Sequence, residues 1–194
     1  MMDLGPGPPF DPNASVLFIG SSTIARFPLS SAFPGKPCVN LGRGNENTLA
    51  LRARLPGALP SSPPGGIVLY VGSADLRFEP ALPAKEIRER VEGVVSDLNA
   101  QFPGVEIAVI EVLPARHQSE EERIALRALN DELIGVAHER NLWFVPTNRP
   151  PLVDSDGSLL ESMSVDRHHL NEAGYRVLAQ WIIDDTGAPG RHLR

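Results

Sequence analysis

The chain has 194 residues, 42% hydrophobic and 22% charged, which fits one globular domain with a core of its own. Its formal net charge is −6 and its basic residues are dispersed, Lys36 and Lys85 being the only lysines, so no nucleic-acid partner is expected. A single cysteine, Cys38, excludes an intrachain disulfide and a paired-cysteine metal or redox motif, and reads as a small buried hydrophobe.

Residues 1–14 are rich in Pro and Gly and read as an N-terminal arm, with residues 15–194 as a single domain. The arm lacks the apolar centre of a secretory leader, and no run approaches 18 apolar residues. A cytoplasmic location without membrane contact is the expectation. Residues 15–20 (SVLFIG) form a short apolar run ending at glycine, as a strand buried on both faces does. Weaker or stronger runs of the same kind follow at 37–41, 67–71, 106–112 and 142–145, the last stopped by Pro146.

Helices are predicted between these runs. Residues 83–102 place Ile87, Val91, Val94, Val95, Leu98 and Phe102 three and four apart, an apolar stripe with charge opposite. Residues 119–140 open with Ser119 and Glu122, a capping box, and carry a stripe of Ile124, Ala128, Leu129, Leu133, Val136 and Ala137. A last helix begins near Asn171 and is expected to bury Val177, Leu178, Trp181 and Ile182. Residues 48–55 suggest a shorter helix, with a turn-rich connector over 55–66. Strands alternating with helices imply parallel pairing, right-handed crossovers and a three-layer α/β/α sandwich around a five-stranded parallel sheet. Ligands bind such sheets beyond the carboxyl ends of the strands, so chemistry belongs in the loops that start at Gly20, Asn40, Gly72, Leu113 and Pro146.

In the first of these loops Ser21 and Ser22 follow Gly20 directly, which places a hydroxyl at the sheet edge; a Ser/Thr-rich helix cap explains the same segment. Near the chain's end Asp166 precedes His169 by three residues. A carboxylate there accepts the imidazole Nδ1–H and frees Nε2 to act as a base, which a serine nucleophile needs. A solvated surface loop with a capping aspartate remains the other reading. The order Ser, Asp, His also occurs in nucleophile-elbow hydrolases, but the chain has no G-x-S-x-G. His168 beside His169 could suggest a metal held with Asp166, yet no further ligand has suitable spacing, and neither metal nor cofactor is expected.

Taken together, four segments resemble the blocks of the SGNH (GDSL-type) hydrolases, over about residues 16–181. Gly20-Ser21-Ser22 is similar to the first block and places Ser22 as nucleophile. Asn40-Leu41-Gly42-Arg43-Gly44-Asn45 is similar to the second, Gly72-Ser73-Ala74-Asp75 to the third, and Asp166-Arg167-His168-His169-Leu170-Asn171 to the last. The resemblance implies a flavodoxin-like fold and metal-free hydrolysis of small-molecule esters or thioesters, with Ser22, Asp166 and His169 as the catalytic set. It also implies an oxyanion hole of the Ser22 N–H, a second-block group at Asn45 with Gly44 beside it, and a third-block asparagine side chain.

Two of the blocks depart from the pattern. The third-block asparagine is Ala74, which has no side-chain donor, and the second-block glycine is Asn45. One oxyanion donor is worth on the order of 10²–10³ in rate. Two outcomes are open: the Asn45 amide supplies the missing donor of a short-chain esterase, or the domain is catalytically weakened and binds an acylated or carbohydrate ligand. Arg43 and Arg77, after the second and third runs, are candidates for attracting an anionic substrate. Residues 113–117, after the fourth, are candidates for lining it.

Overall fold

The computed structural model describes residues 14–194, so the predicted arm lies, but for its last residue, outside the described residues. The apolar runs become five strands: β1 (Val16–Gly20), β2 (Cys38–Gly42), β3 (Gly66–Tyr70), β4 (Ile107–Ile110) and β5 (Trp143–Val145). All pair in parallel, in the order β2-β1-β3-β4-β5. The chain therefore adds β2 on one side of β1 and β3 to β5 on the other, and the crevice between β1 and β3 is where such sheets bind ligands.

The helices are α1 (Ser22–Ala25), α2 (Leu29–Ala32), α3 (Thr48–Ala58), α4 (Ser73–Phe78), α5 (Ala84–Gln101), α6 (Glu120–Glu139), α7 (Glu172–Asp185) and α8 (Ala188–Leu193), with a 3-10 turn at Glu161–Met163. Alternation along the strands divides the core into two layers. Leu17, Ile19, Ile67, Leu69, Ile107 and Val109 face α3, α5 and α6. Val16, Phe18, Val68, Tyr70, Ala108 and Ile110 face the layer holding α7, α8, Phe27 and Phe33. This is the expected three-layer sandwich. Among the described residues, no helix is long and apolar enough to cross a membrane.

The α5 stripe is buried as expected. The α6 stripe is rotated: Leu126, Leu129, Asn130, Leu133, Val136 and Ala137 are buried, while Ile124 is 54% exposed and Ala128 is exposed. A polar residue conceals the true face. Asn130 accepts the Val112 N–H and donates to the Val112 carbonyl, both at 3.0 Å, satisfying the backbone just past β4 from within the core. On α7 the buried residues are Tyr175, Leu178, Ala179 and Ile182, with Val177 and Trp181 half-buried. The α3 helix runs on through Pro56 into the predicted connector, because a proline near the last turn still leaves most of the helix's hydrogen bonds in place. Ser119 and Glu122 form both bonds of the capping box, and Asn171 caps α7 by accepting the Gly174 N–H. Cys38 is half-buried rather than buried, and burial pushes its thiol up to about 11, so it stays protonated.

Candidate active site

The site is built on the carboxyl ends of β1, β2 and β3. Gly20 closes β1 against β3 so tightly that a Cβ there would collide with the Tyr70 carbonyl. The chain then turns into α1, a single turn with Ser22 at its start. Ser21 makes no capping bond; its hydroxyl instead lies 2.9 Å from that of Ser73, so the helix-cap reading does not describe it. The Ser22 N–H belongs to the first turn and has no partner within that helix. Two bonds fix the neighbouring segment: Asn40 donates to the Ile24 carbonyl at 2.7 Å, and the Arg43 N–H donates to the Gly20 carbonyl at 2.9 Å.

The last loop comes to meet this turn. Ser22 Oγ lies 3.1 Å from His169 Nε2, and His169 Nδ1 lies 2.8 Å from each oxygen of Asp166. With Nδ1–H donating to a carboxylate, Nε2 of the neutral ring is left as the acceptor facing Ser22. Burial raises the Asp166 carboxyl, but the backbone N–H of His168, the His169 ring and the His169 N–H outweigh it and hold the group at about 2. The sequence therefore named three residues, 147 positions apart at the extremes, that the fold brings into one hydrogen-bonded line.

The residue that braces this loop is one the motifs do not reveal. Arg116 donates to Ser164 Oγ at 2.7 Å and to the Ser164 carbonyl at 2.6 Å, while its own N–H reaches the Arg167 carbonyl at 2.8 Å. Only its position after β4 hinted at a role, and that hint pointed to substrate. Leu113 and Ala115 do line the cavity, whereas Pro114, Arg116 and His117 do not.

Beside Ser22 lies a cavity of about 530 Å³, within the range of small-molecule sites. Ser21, Ser22, Thr23, Asn45, Tyr70 and Ser73 line it with polar groups, and Ala74, Leu76, Phe78, Val112, Leu113 and Leu126 with apolar ones. Neither Asp166 nor His169 lines it. Asn45 faces it with a left-handed backbone (φ 58°), a conformation asparagine tolerates better than most residues, while Gly44 is exposed and outside it. Arg77 lines the cavity together with His168, Glu121 and the Arg167–Glu122 ion pair (2.7 Å); Arg43 does not. Burial, then the cations Arg77 and Arg167, hold His168 below the ordinary imidazole value. Burial pushes the Tyr70 phenol up, against the pull of the Thr23 hydroxyl, the Leu113 N–H and the Ser73 hydroxyl.

Asp75, in the third block, has a different environment. It is fully buried and accepts from the Thr48 N–H at 2.9 Å, the Thr48 hydroxyl at 2.6 Å and Arg90 at 3.0 Å, locking the β3–α4 turn to the start of α3.

The model of the GDSL-like lipase/acylhydrolase family matches residues 12–177. Among curated proteins none matches the chain. Several solved structures share its fold. A protein from Streptococcus pneumonia described as a platelet activating factor is 26% identical, with a TM-score of 0.77, over 90% of this chain and 83% of that one. An acylhydrolase from Bacteroides fragilis is 18% identical, with a TM-score of 0.78, over 99% and 93% of the two chains. A lipase/acylhydrolase from Enterococcus faecalis is 17% identical, with a TM-score of 0.74, over 92% and 96%.

Proposed function

The chain belongs to the GDSL-like lipase/acylhydrolase family, a family of ester hydrolases, and from that premise we propose that it is a serine esterase of small, short-chain acyl esters. The observation that carries the reading is the unbroken line Ser22 Oγ, His169 Nε2, His169 Nδ1, Asp166. In the reaction Ser22 Oγ bonds to the acyl carbon as its proton passes to Nε2, and the carbonyl π pair moves onto oxygen. The tetrahedral species collapses by breaking the ester C–O bond, and Nε2 returns the proton to the leaving alcohol. Water, deprotonated by the same nitrogen, then attacks the acyl carbon; the bond to Ser22 Oγ breaks, Nε2 returns the proton to that oxygen, and the acid leaves. Asp166 orients His169 and stabilises the imidazolium.

The oxyanion is received by the Ser22 N–H and by Asn45, through its backbone N–H and its side-chain amide. A cavity of about 530 Å³ suits a small ester with a modest alcohol portion. The substitution at Ala74 favours a second reading, ligand binding without turnover, and one experiment separates the two.

Hydrolysis of p-nitrophenyl acetate and butyrate is measured for the parent, Ser22→Ala and Asn45→Gly. Glycine is the better probe than alanine at position 45, because it keeps the N–H, accepts the left-handed backbone and removes only the amide. Turnover that vanishes in Ser22→Ala and falls by about 10²-fold in Asn45→Gly is expected. A parent without turnover hands the case to the binding reading.

A further inference from the structure

Ala74 withdraws a donor from the β3 side of Ser22, yet the cavity wall there is still polar. Ser73 stands one residue before Ala74 and Ser21 one before the nucleophile, and their hydroxyls meet at 2.9 Å across the gap between the ends of β1 and β3. The buried Tyr70 hydroxyl, which accepts the Leu113 N–H at 3.3 Å, stands behind them near Ser73 and Thr23. All four hydroxyl residues line the cavity that holds Ser22.

Hydroxyl groups joined end to end use one hydrogen fewer than they have members, so one O–H is left to donate outward. The Leu113 N–H donates into the group and consumes no hydrogen of its own. Ser21, Thr23 and Tyr70 are each only 3% exposed, whereas Ser73 is half-buried, so Ser73 is the most accessible of the four from the cavity. Asn45 approaches Ser22 from β2, on the other side of β1 from Ser73. The third-block side of Ser22 thus keeps a donor of its own, apart from those that Asn45 brings from the second.

We propose that the Ser73 hydroxyl, held by Ser21, donates a hydrogen bond to the oxyanion alongside the donors of Ser22 and Asn45, from the side where position 74 lacks an asparagine. The proposal rests on the esterase reading above. As the Ser22 Oγ–C bond forms, charge gathers on the former carbonyl oxygen; Ser73 turns its hydrogen towards that charge without transferring it. The gain exists only once the charge has developed, so it belongs to kcat rather than to KM.

The test is steady-state hydrolysis of p-nitrophenyl acetate by the parent, Ser22→Ala, Ser73→Ala and Ser73→Thr, with thermal unfolding of each. Ser73→Ala is expected to lose about 10²-fold in kcat while KM stays within about threefold. Ser73→Thr keeps the hydroxyl and is expected to stay within about tenfold of the parent. A Ser73→Ala enzyme with parental kcat overturns the proposal, as does Ser73→Thr falling as far as Ser73→Ala, which would mark the position as structural. Turnover that survives Ser22→Ala, or is absent from the parent, overturns the esterase reading instead, and this inference with it.

Discussion

At the scale of single residues, Asp166 has the most informative environment. Its carboxyl sits at about 2, below the ordinary 3.8, so the folded loop favours the ionised form. The resulting stability is complete above about pH 4 and is lost as the pH falls through about 2. The side chain is 46% exposed, and screening limits that stability to about 1 kcal/mol at most. Asp166 thus stays ionised throughout the range where imidazoles titrate, so its own protonation does not shape the acid limb of kcat/KM. Asp166→Asn is expected to lower the plateau kcat by about 10³–10⁴-fold, because an amide no longer enforces the Nδ1–H tautomer. A pH–rate profile of both proteins checks this; an Asn variant within about tenfold of the parent would remove Asp166 from the mechanism. Ser22, Asp166 and His169 were legible in the sequence because each stands in a short pattern: a serine directly after a buried strand, a carboxylate three before an imidazole. Arg116, Asn40 and Ser73 were not legible in their roles. Their contacts join segments 16 to 52 positions apart, which no local spacing encodes.

At the scale of elements, the loop that carries Asp166 and His169 is a strap pinned at both ends. The Asn171 cap fixes its exit into α7, and an antiparallel bridge pairs Ser164 with Leu170. Arg116 clamps its entry with two short bonds from a side chain only 18% exposed. Removing a charged donor from two buried acceptors costs about 2–3 kcal/mol and frees the strap to wander from Ser22. Arg116→Ala is accordingly expected to unfold earlier and to lose kcat by about tenfold or more, since small misplacements of the base are costly. Circular dichroism melts and p-nitrophenyl acetate kinetics read both effects; a destabilised variant with parental kcat would show that the strap holds its position without the clamp. The long elements were readable because period and caps agree: the α5 stripe and the Ser119–Glu122 box appear as expected. The short helices α1, α2, α4 and α8 have one turn or little more, too few residues to display a period of 3.6. The rotation of α6 escaped because the position that turns its face inward is Asn130, polar by type and buried by virtue of its two bonds to Val112.

At the scale of the whole molecule, the sheet separates two cores with unequal links to the chemistry. The α7 layer includes the aromatic group Phe18, Phe27, Phe33 and Tyr175, with ring centroids 4.9–5.8 Å apart. Tyr175 donates to the Thr23 carbonyl at 2.9 Å, so α7 is tied to the turn that carries Ser22 as well as to the His169 loop that leads into it. The α5/α6 layer lends the cavity Ala125 and Leu126 from the first turns of α6, about two turns along that helix from Leu133. Leu133 and Leu178 are equally inaccessible, both at 0% exposure, so the same truncation probes the two layers fairly. Leu133→Ala and Leu178→Ala are each expected to cost about 2–5 kcal/mol, a cavity cost common to both. For a chain of this length that lowers Tm by roughly 5–15 °C. Activity separates them. Leu178→Ala loosens the helix that anchors both Ser22 and His169 and lowers kcat below the folding midpoint, while Leu133→Ala keeps parental kcat until it unfolds. Parallel melts and kcat measurements well below either midpoint decide the matter. Equal losses of kcat in the two variants would mean that the strands carry strain from one face of the sheet to the other, and that the site depends on both cores alike.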